Sequence, residues 1–498
     1  MTKMGGMTTL TVTSPATGSH IGDVPVHSAA DTSDAFSRAR LVQPAWAATP
    51  VAQRRKIMLC LHDLLLERQA EFLDVIQDET GKNRASAFDE ILDVAVTARH
   101  YAHAAARLLT PRRVRGAVPV LTRTHVERVP VGVVGIISPW NYPLALALSD
   151  AIPALLGGNT VVLKPDEKTP FTALRALALL EEAGLPRDVM QVLTGRGVVT
   201  GQAVAQECDY LMFTGSTAVG RRLAATAGER LIGFSAELGG KNPLIVAPDA
   251  DVARAARGAA TACFTNSGQL CISIERIYVH HDVADEFLTA FIAHTEAMNI
   301  GRGREWTLDM GSLISEEHKL RVAALVHDAV SRGATVLTGG RERSDLGPAF
   351  YSPTILTDVP SDARLFGEET FGPVVAVEVV DNIDEAVARA NESSYGLNAS
   401  VWGSVPTARK IASRLQAGTV NINEGFAAAW GSLDAPMGGW KQSGVGRRHG
   451  DVGLLKYTEE RTVAVQRMLP LSGPSSMPRE RYAQVMSTAL RYGRVMLR

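Results

Sequence analysis

Three short segments of this chain carry a thiol, a carboxylate and an amide suited to attack on a carbonyl. Cys271 lies in FTNSGQLCISIER, in a small-residue loop behind Gly268 and Gln269. Glu237 stands upstream in AELGGKNP, and Asn141 upstream of that in SPWNYP. A thiolate adds to a carbonyl carbon, a side-chain amide holds the alkoxide that results, and a base draws a proton from the water that cleaves a thioester. Each segment alone has a plainer reading. Asn141 would serve as a helix-start cap before Pro143, and Glu237 as the cap of a strand-to-loop turn. Gly239 and Gly240, next to Glu237, suggest a backbone that a ligand approaches closely.

The other cysteines, Cys60, Cys208 and Cys263, read as small buried hydrophobes. No CxxC occurs, so neither a metal site nor a disulfide framework is expected. His280 and His281 follow a strand pattern. Neighbouring strand side chains face opposite ways, so the two are expected at the surface and not as co-ligands. With 498 residues the chain exceeds the size of one core, so two or three domains are expected. A formal charge of −1 provides no field to draw nucleic acid or an anionic membrane. No apolar run reaches the ~20 residues of a membrane span. The N-terminal MTKMGGMTTLTVTSP has no apolar secretion core. A reduced, cytoplasmic setting is the expectation, and it suits a working thiol.

These residues need elements to place them. The first 110 or so residues read as helical, with Ile57, Leu61, Leu64, Leu65, Phe72, Val75 and Ile76 at helical spacing and Gly81 as a stop. A β-like stretch covers about Val118 to Val129. From Val131 strands and helices alternate: VGVVGII, a helix with Pro143 near its first turn, TVVLK, a helix, MQVL, a helix, YLMFTG, a helix, then LIGFSAEL. That alternation on short loops predicts an α/β, doubly wound parallel sheet, whose ligands bind beyond the carboxyl ends of the strands. A second α/β alternation runs from Asn242 to about Trp440. The tail beyond Arg467 has a linker and a basic helix carrying Tyr482, Val485, Met486, Ala489 and Leu490. It is expected to pack on its own fold or a neighbouring subunit, with a membrane-surface helix as the lesser reading.

Taken in order, SPWNYP, VVLKPDEKTP, FTGSTAVG, ELGGKNP, SGQLC, EETFGPV, SYGLNASV and PMGGWKQSGVGR resemble the NAD(P)-dependent aldehyde dehydrogenase superfamily, from SPATG at Ser14 to about Gln466. The resemblance implies a dinucleotide-binding domain over 1–112 and 131–238 and a catalytic domain over 239–445. It implies a small β oligomerisation sheet over 113–130 and 455–467, ahead of a tail helix over 468–498. It casts Cys271 as nucleophile and Glu237 as general base. Asn141 and the Cys271 N–H become the oxyanion donors. No GxGxxG follows a strand, and FTGSTAVG places Gly215, Ser216 and Gly220 at a helix start suited to a pyrophosphate. Lys164 and Glu167 match contacts to the adenine ribose. A carboxylate there accepts from the 2′- and 3′-hydroxyls and repels a 2′-phosphate, which favours NAD over NADP. Glu369 and Phe371 match the residues that position the nicotinamide ribose and ring, with Trp140 and Asn423 as neighbours. The implied partners are a small aldehyde and further copies of the chain, as a homodimer or homotetramer.

Two departures stand out. Many family members carry a lysine on the helix after PWN and a glutamate after the GR of the last motif. Here those positions hold Asp150 and Arg448, expected to pair in the reverse sense. Succinate-semialdehyde dehydrogenases often carry an arginine one residue earlier, where this chain has Ser149. SDAIPALLGGN and GQLCISIER are nevertheless similar to a divergent group that bears that same label. A coenzyme A-acylating relative typically lacks the ELGG glutamate, and a non-redox thiol esterase would need neither FTGSTAVG nor EETFGP.

Overall fold

Runs of buried β-branched residues build two parallel sheets, of which TVVLK, buried throughout, is a typical strand. The computed structural model describes residues 3–4, 7–115, 122–467, 470 and 472–493. The first sheet has six strands in the order Gly444–Val445, Gly233–Glu237, Tyr210–Thr214, Val133–Ile137, Thr160–Lys164 and Met190–Val192. All pair in parallel except Gly444–Val445. Its first strand in the chain is central, and later strands extend to either side, which opens a crevice at their carboxyl ends. Helices Val51–Glu67, Arg84–Leu108 and Ala145–Leu156 cover one face through Leu61, Ile91 and Leu148. Helix Ala29–Ala48 covers the other face through Ala35, Phe36 and Ala39.

The second sheet has seven strands in the order Thr335–Thr338, Thr354–Thr357, Val374–Val380, Ile274–His280, Asn242–Val246, Asn398–Trp402 and Thr419–Ile422. Only the first of these is antiparallel to its neighbour. A third sheet joins Arg112–Val114, Thr122–Pro130 and Thr458–Gln466. Its long pair runs from Thr458 opposite Pro130 to Gln466 opposite Thr122, and every residue of that last strand after Thr458 is exposed. Among the described residues no helix is long and apolar enough to cross a membrane.

Several details differ from expectation. Strands Met7–Thr13 and His20–Pro25 precede the first helix, because MTTLTVT alternates with period two. Gly444–Val445, expected with the second domain, pairs with Ala236 and Glu237 of the first sheet. The rings of His280 and His281 stack at 4.4 Å, since the chain turns from strand to helix between them. Among the described residues of helix Arg479–Gly493 none is buried. Residues 118–121 of the β-like stretch and 494–498 of the tail lie outside the described residues.

Candidate active site

The carboxyl ends of the first sheet carry the chemistry. The chain leaves strand Val133–Ile137 into SPWN and leaves Tyr210–Thr214 into Gly215 and Ser216, and Glu237 is the last residue of its strand. Cys271 approaches from the opposite side, just before strand Ile274–His280 of the second sheet. One cleft of about 250 Å³ is lined by Cys271, Glu237 and Asn141 together with Trp140, Gly215 and Ser216. Glu369 and Phe371 line it as well, as do His318 and Arg321, which the sequence did not single out.

The cysteine loop is strained and held on many sides. Asn266 and Ser267 take φ of 52° and 58°, a region that costs a non-glycine residue about 1 kcal/mol. Asn266 Nδ2 donates to the main-chain oxygens of Asn141 at 3.1 Å and Gln269 at 3.2 Å. Ser267 Oγ donates to Gly311 O at 3.0 Å, and the Ile314 N–H donates to Gln269 Oε1 at 2.8 Å. A Cβ on Gly268 would sit 2.2 Å from Gly372 O, and one on Gly240 2.5 Å from Cys271 O. The second glycine of ELGG thus lets the Cys271 backbone come close, where Asn242 Nδ2 donates to Cys271 O at 2.8 Å.

Asn141 Nδ2 donates one of its two protons to Gln269 O at 3.0 Å. Its main-chain oxygen accepts from Lys82 Nζ at 2.7 Å. Lys82 and Glu90 form a fully buried ion pair at 2.7 Å, and Glu90 also accepts from the Leu144 and Ala145 N–H groups at 2.8 and 3.2 Å. Sequence reasoning missed this pair. Lys82 stands in a helix-ending GKN that reads as surface, and only packing shows its burial.

Electrostatics divide the groups by role. Burial pushes the Cys271 thiol up to about 12, helped by the Glu237 and Glu369 carboxylates. Burial raises Glu237 to about 7, against the pull of Arg448 and Lys456. Near neutrality the thiol holds its proton and Glu237 is poised to exchange one. Burial and Glu275 raise Glu369 to about 8. Glu369 Oε1 accepts from the Gly240 N–H at 2.8 Å, and a Cβ on Gly239 would meet its other oxygen at 2.5 Å. Buried Glu275, paired with Lys241 at 2.7 Å, accepts from the Thr370 and Phe371 N–H groups at 3.0 and 2.9 Å. That grip holds Phe371 at φ 54°, with its ring edge-on to Trp140 at 5.5 Å.

The residues expected to hold a dinucleotide divide. Ser216 begins helix Thr217–Arg230 without a side-chain cap, so its side chain leaves the first-turn N–H groups open for an anion. Gly220 does not line the cleft. A Cβ there would meet Leu238 at 2.5 Å, so this glycine lets the helix pack on the strand end. Lys164 and Glu167 also lie outside that cleft lining, at the end of strand Thr160–Lys164 and in the loop after it. Lys164 Nζ is 4.0 Å from Glu167 Oε2, which accepts from the Gly197 N–H at 3.2 Å. Asn423 is not among the residues that line the cleft. It exchanges two hydrogen bonds with Gly403, at 3.0 and 2.9 Å. An open helix terminus, two aromatic rings set edge-on and a carboxylate make a cradle that fits a dinucleotide.

Asp150 and Arg448 do meet. Arg448 Nε donates to Asp150 Oδ2 at 3.1 Å, and its Nη2 makes a second contact. Two unforeseen residues complete the cluster: Lys456 Nζ at 3.1 Å and Tyr457 Oη at 2.9 Å from Asp150 Oδ1. Burial alone would raise Asp150, but the two cations hold it below the usual carboxylate range. Ser149 Oγ donates to the buried Asp93 carboxylate.

Comparison with known proteins accords with this geometry. The aldehyde dehydrogenase family model matches residues 2–463. A putative succinate-semialdehyde dehydrogenase [NADP(+)] of Mycolicibacterium smegmatis is 52% identical over 476 residues, covering 95% of this chain and 92% of that protein. The crystal structure of an E. coli NADP dependent enzyme superposes with a TM-score of 0.89 at 34% identity, covering 93% of this chain and 95% of the other. The NAD+ complex of a Bacillus cereus aldehyde dehydrogenase gives a TM-score of 0.88 at 34% identity, covering 92% and 93%. With its catalytic wording, its two parallel sheets and these matches in agreement, the chain belongs to the aldehyde dehydrogenase family.

Proposed function

We propose that the protein oxidises a small aldehyde to its carboxylic acid with Cys271 as nucleophile, Asn141 as oxyanion donor and Glu237 as general base. The observation that carries this reading is the convergence of these three side chains on one cleft with Trp140, Phe371 and an uncapped helix start. The Cys271 thiol gives up its proton to solvent. The thiolate adds to the aldehyde carbon, and the alkoxide accepts hydrogen bonds from Asn141 Nδ2 and the Cys271 N–H. A nicotinamide dinucleotide, when bound, supplies the acceptor for the hydride that leaves this thiohemiacetal. Glu237 then removes a proton from water, the oxygen adds to the thioester, and the C–S bond breaks to release the acid.

Gly215 and Ser216 would hold the pyrophosphate, Glu369 the nicotinamide ribose, and Phe371 and Trp140 flank the ring. Lys164 and Glu167 would take the adenine ribose. Glu167 favours NAD, whereas the Mycolicibacterium relative is named for NADP(+). That name also makes succinate semialdehyde the first substrate to try. The exposed strand Thr458–Gln466 supports assembly into a homodimer or homotetramer.

The deciding measurement follows reduced nicotinamide with NAD or NADP and a panel of aldehydes including succinate semialdehyde, with and without coenzyme A. We expect reduction that needs no coenzyme A. No reduction with any aldehyde would favour a thiol esterase, and a strict need for coenzyme A an acylating enzyme. Cys271→Ala abolishes dehydrogenase and ester cleavage together. Glu237→Gln keeps a single burst of reduced cofactor and loses turnover, because the thioester forms and stalls.

A further inference from the structure

The loop that closes over Glu237 also carries the charged cluster behind it. Glu237 pairs with Gly444, and the Leu238 N–H donates to Ser443 O at 2.9 Å. A Cβ on Gly438 would lie 3.0 Å from Glu237 Oε1 and 2.9 Å from Arg447 Cδ. Met437 and Arg448 exchange main-chain hydrogen bonds at 2.8 and 2.7 Å. This ladder fixes Arg448 beside Glu237 and aims its guanidinium at Asp150.

Asp150 and Arg448 alone would balance. Lys456 upsets the balance. Its ammonium lies 3.1 Å from Asp150 Oδ1 and 4.8 Å from the centre of the Tyr457 ring, with only 11% of its side chain exposed. One carboxylate therefore faces two cations. The charged and titratable groups facing Glu237 are Arg447, Arg448, Lys456, Asp150 and the Cys271 thiol. Asp93, Tyr457 and His449 stand around the cluster itself. In sequence Lys456 sits in LLKYTEER and reads as an ordinary surface lysine.

We propose that Lys456 is a positioning residue for thioester hydrolysis: it leaves the Asp150–Arg448 cluster with one unbalanced positive charge behind Glu237, which favours the ionised carboxylate that takes a proton from water. The inference rests on the role of Glu237 as base. It makes the position of the acid limb of deacylation a function of the charge summed over Asp150, Arg448 and Lys456, +1 in the natural protein.

The test measures the steady phase after the burst against pH in the full chain with its cofactor and an aldehyde. Lys456→Met takes the net charge to zero, and the limb moves up by about one pH unit. Asp150→Asn takes it to +2, and the limb moves down. Lys456→Arg keeps the natural profile. The double variant Lys456→Met with Asp150→Asn restores +1 and returns the limb to its natural place, so it remains informative if a single variant fails to fold. Burst amplitude is unchanged throughout. A natural limb in Lys456→Met, shifts of one sign in both single variants, or a displaced limb in the double variant overturns the proposal. Full turnover by Glu237→Gln would instead remove the base itself, whatever Lys456 does.

Discussion

At the scale of single residues, the site works by holding acids away from their ordinary proton affinities. Burial raises Glu237 to about 7, so its base form grows as pH rises through neutrality. Deacylation is expected to increase tenfold per pH unit below that value and level off above it, read from turnover against pH. The same shift burdens the fold. A carboxyl raised in the native state favours folding at acid pH, and that contribution is lost as pH climbs from the ordinary carboxylate value through 7. Glu237→Gln should therefore melt higher than the natural protein at pH 8 and alike at pH 5, read by thermal unfolding. Cys271 carries the opposite handicap, a thiol kept protonated by burial and by two nearby carboxylates. Replacing one of them, as in Glu369→Gln, should speed alkylation by iodoacetamide at pH 8 by roughly threefold to tenfold. The identities of Cys271, Glu237 and Asn141 were legible because their flanking segments are distinctive. Their proton affinities were not, since these arise from neighbours far along the chain.

At the scale of elements, the loop before Cys271 and the buried ion pair under Asn141 are the parts most easily broken. Gly268 sits at φ 68° with Gly372 O where a side chain would go. Gly268→Ala should abolish the burst, because the loop must move to make room. Lys82→Met leaves Glu90 buried without its cation, which should cost about 3 to 5 kcal/mol in urea unfolding. Adding Glu90→Gln should recover much of that stability, yet the burst stays slow, since the Asn141 main-chain oxygen then keeps only the Asn266 Nδ2 donor at 3.1 Å. The alternation of strands and helices from Val131 onward was plain, as was the helix start at Ser216. Strand Met7–Thr13 was missed because seven residues of period two are a weak signal beside long helical patterns. Gly220 looked like a phosphate contact and is a packing contact against Leu238.

For the whole molecule, the third sheet projects a strand that the other described residues leave exposed. Val463 and Val465 are exposed there, which is unusual for a β-strand that does not meet a partner. If a second copy covers this sheet, replacing both valines with lysine should lower the sedimentation mass to that of one chain. An unchanged mass would place the subunit contact elsewhere. The tail helix Arg479–Gly493 likewise has no buried residue.

The amino-acid order by itself determined the family and the doubly wound sheet, and it singled out Cys271, Glu237 and Asn141. Each of these is written in local wording or in periodicity along a single segment. Tertiary structure alone decided that Lys82 meets Glu90, that Lys456 joins Asp150 and Arg448 behind Glu237, and that Asn423 turns to Gly403 instead of the cleft. The reason is that burial and electrostatic coupling depend on distance through space. Residues some three hundred positions apart, such as Asp150 and Lys456, become neighbours only when helix Gly450–Leu455, which Lys456 ends, packs against helix Ala145–Leu156.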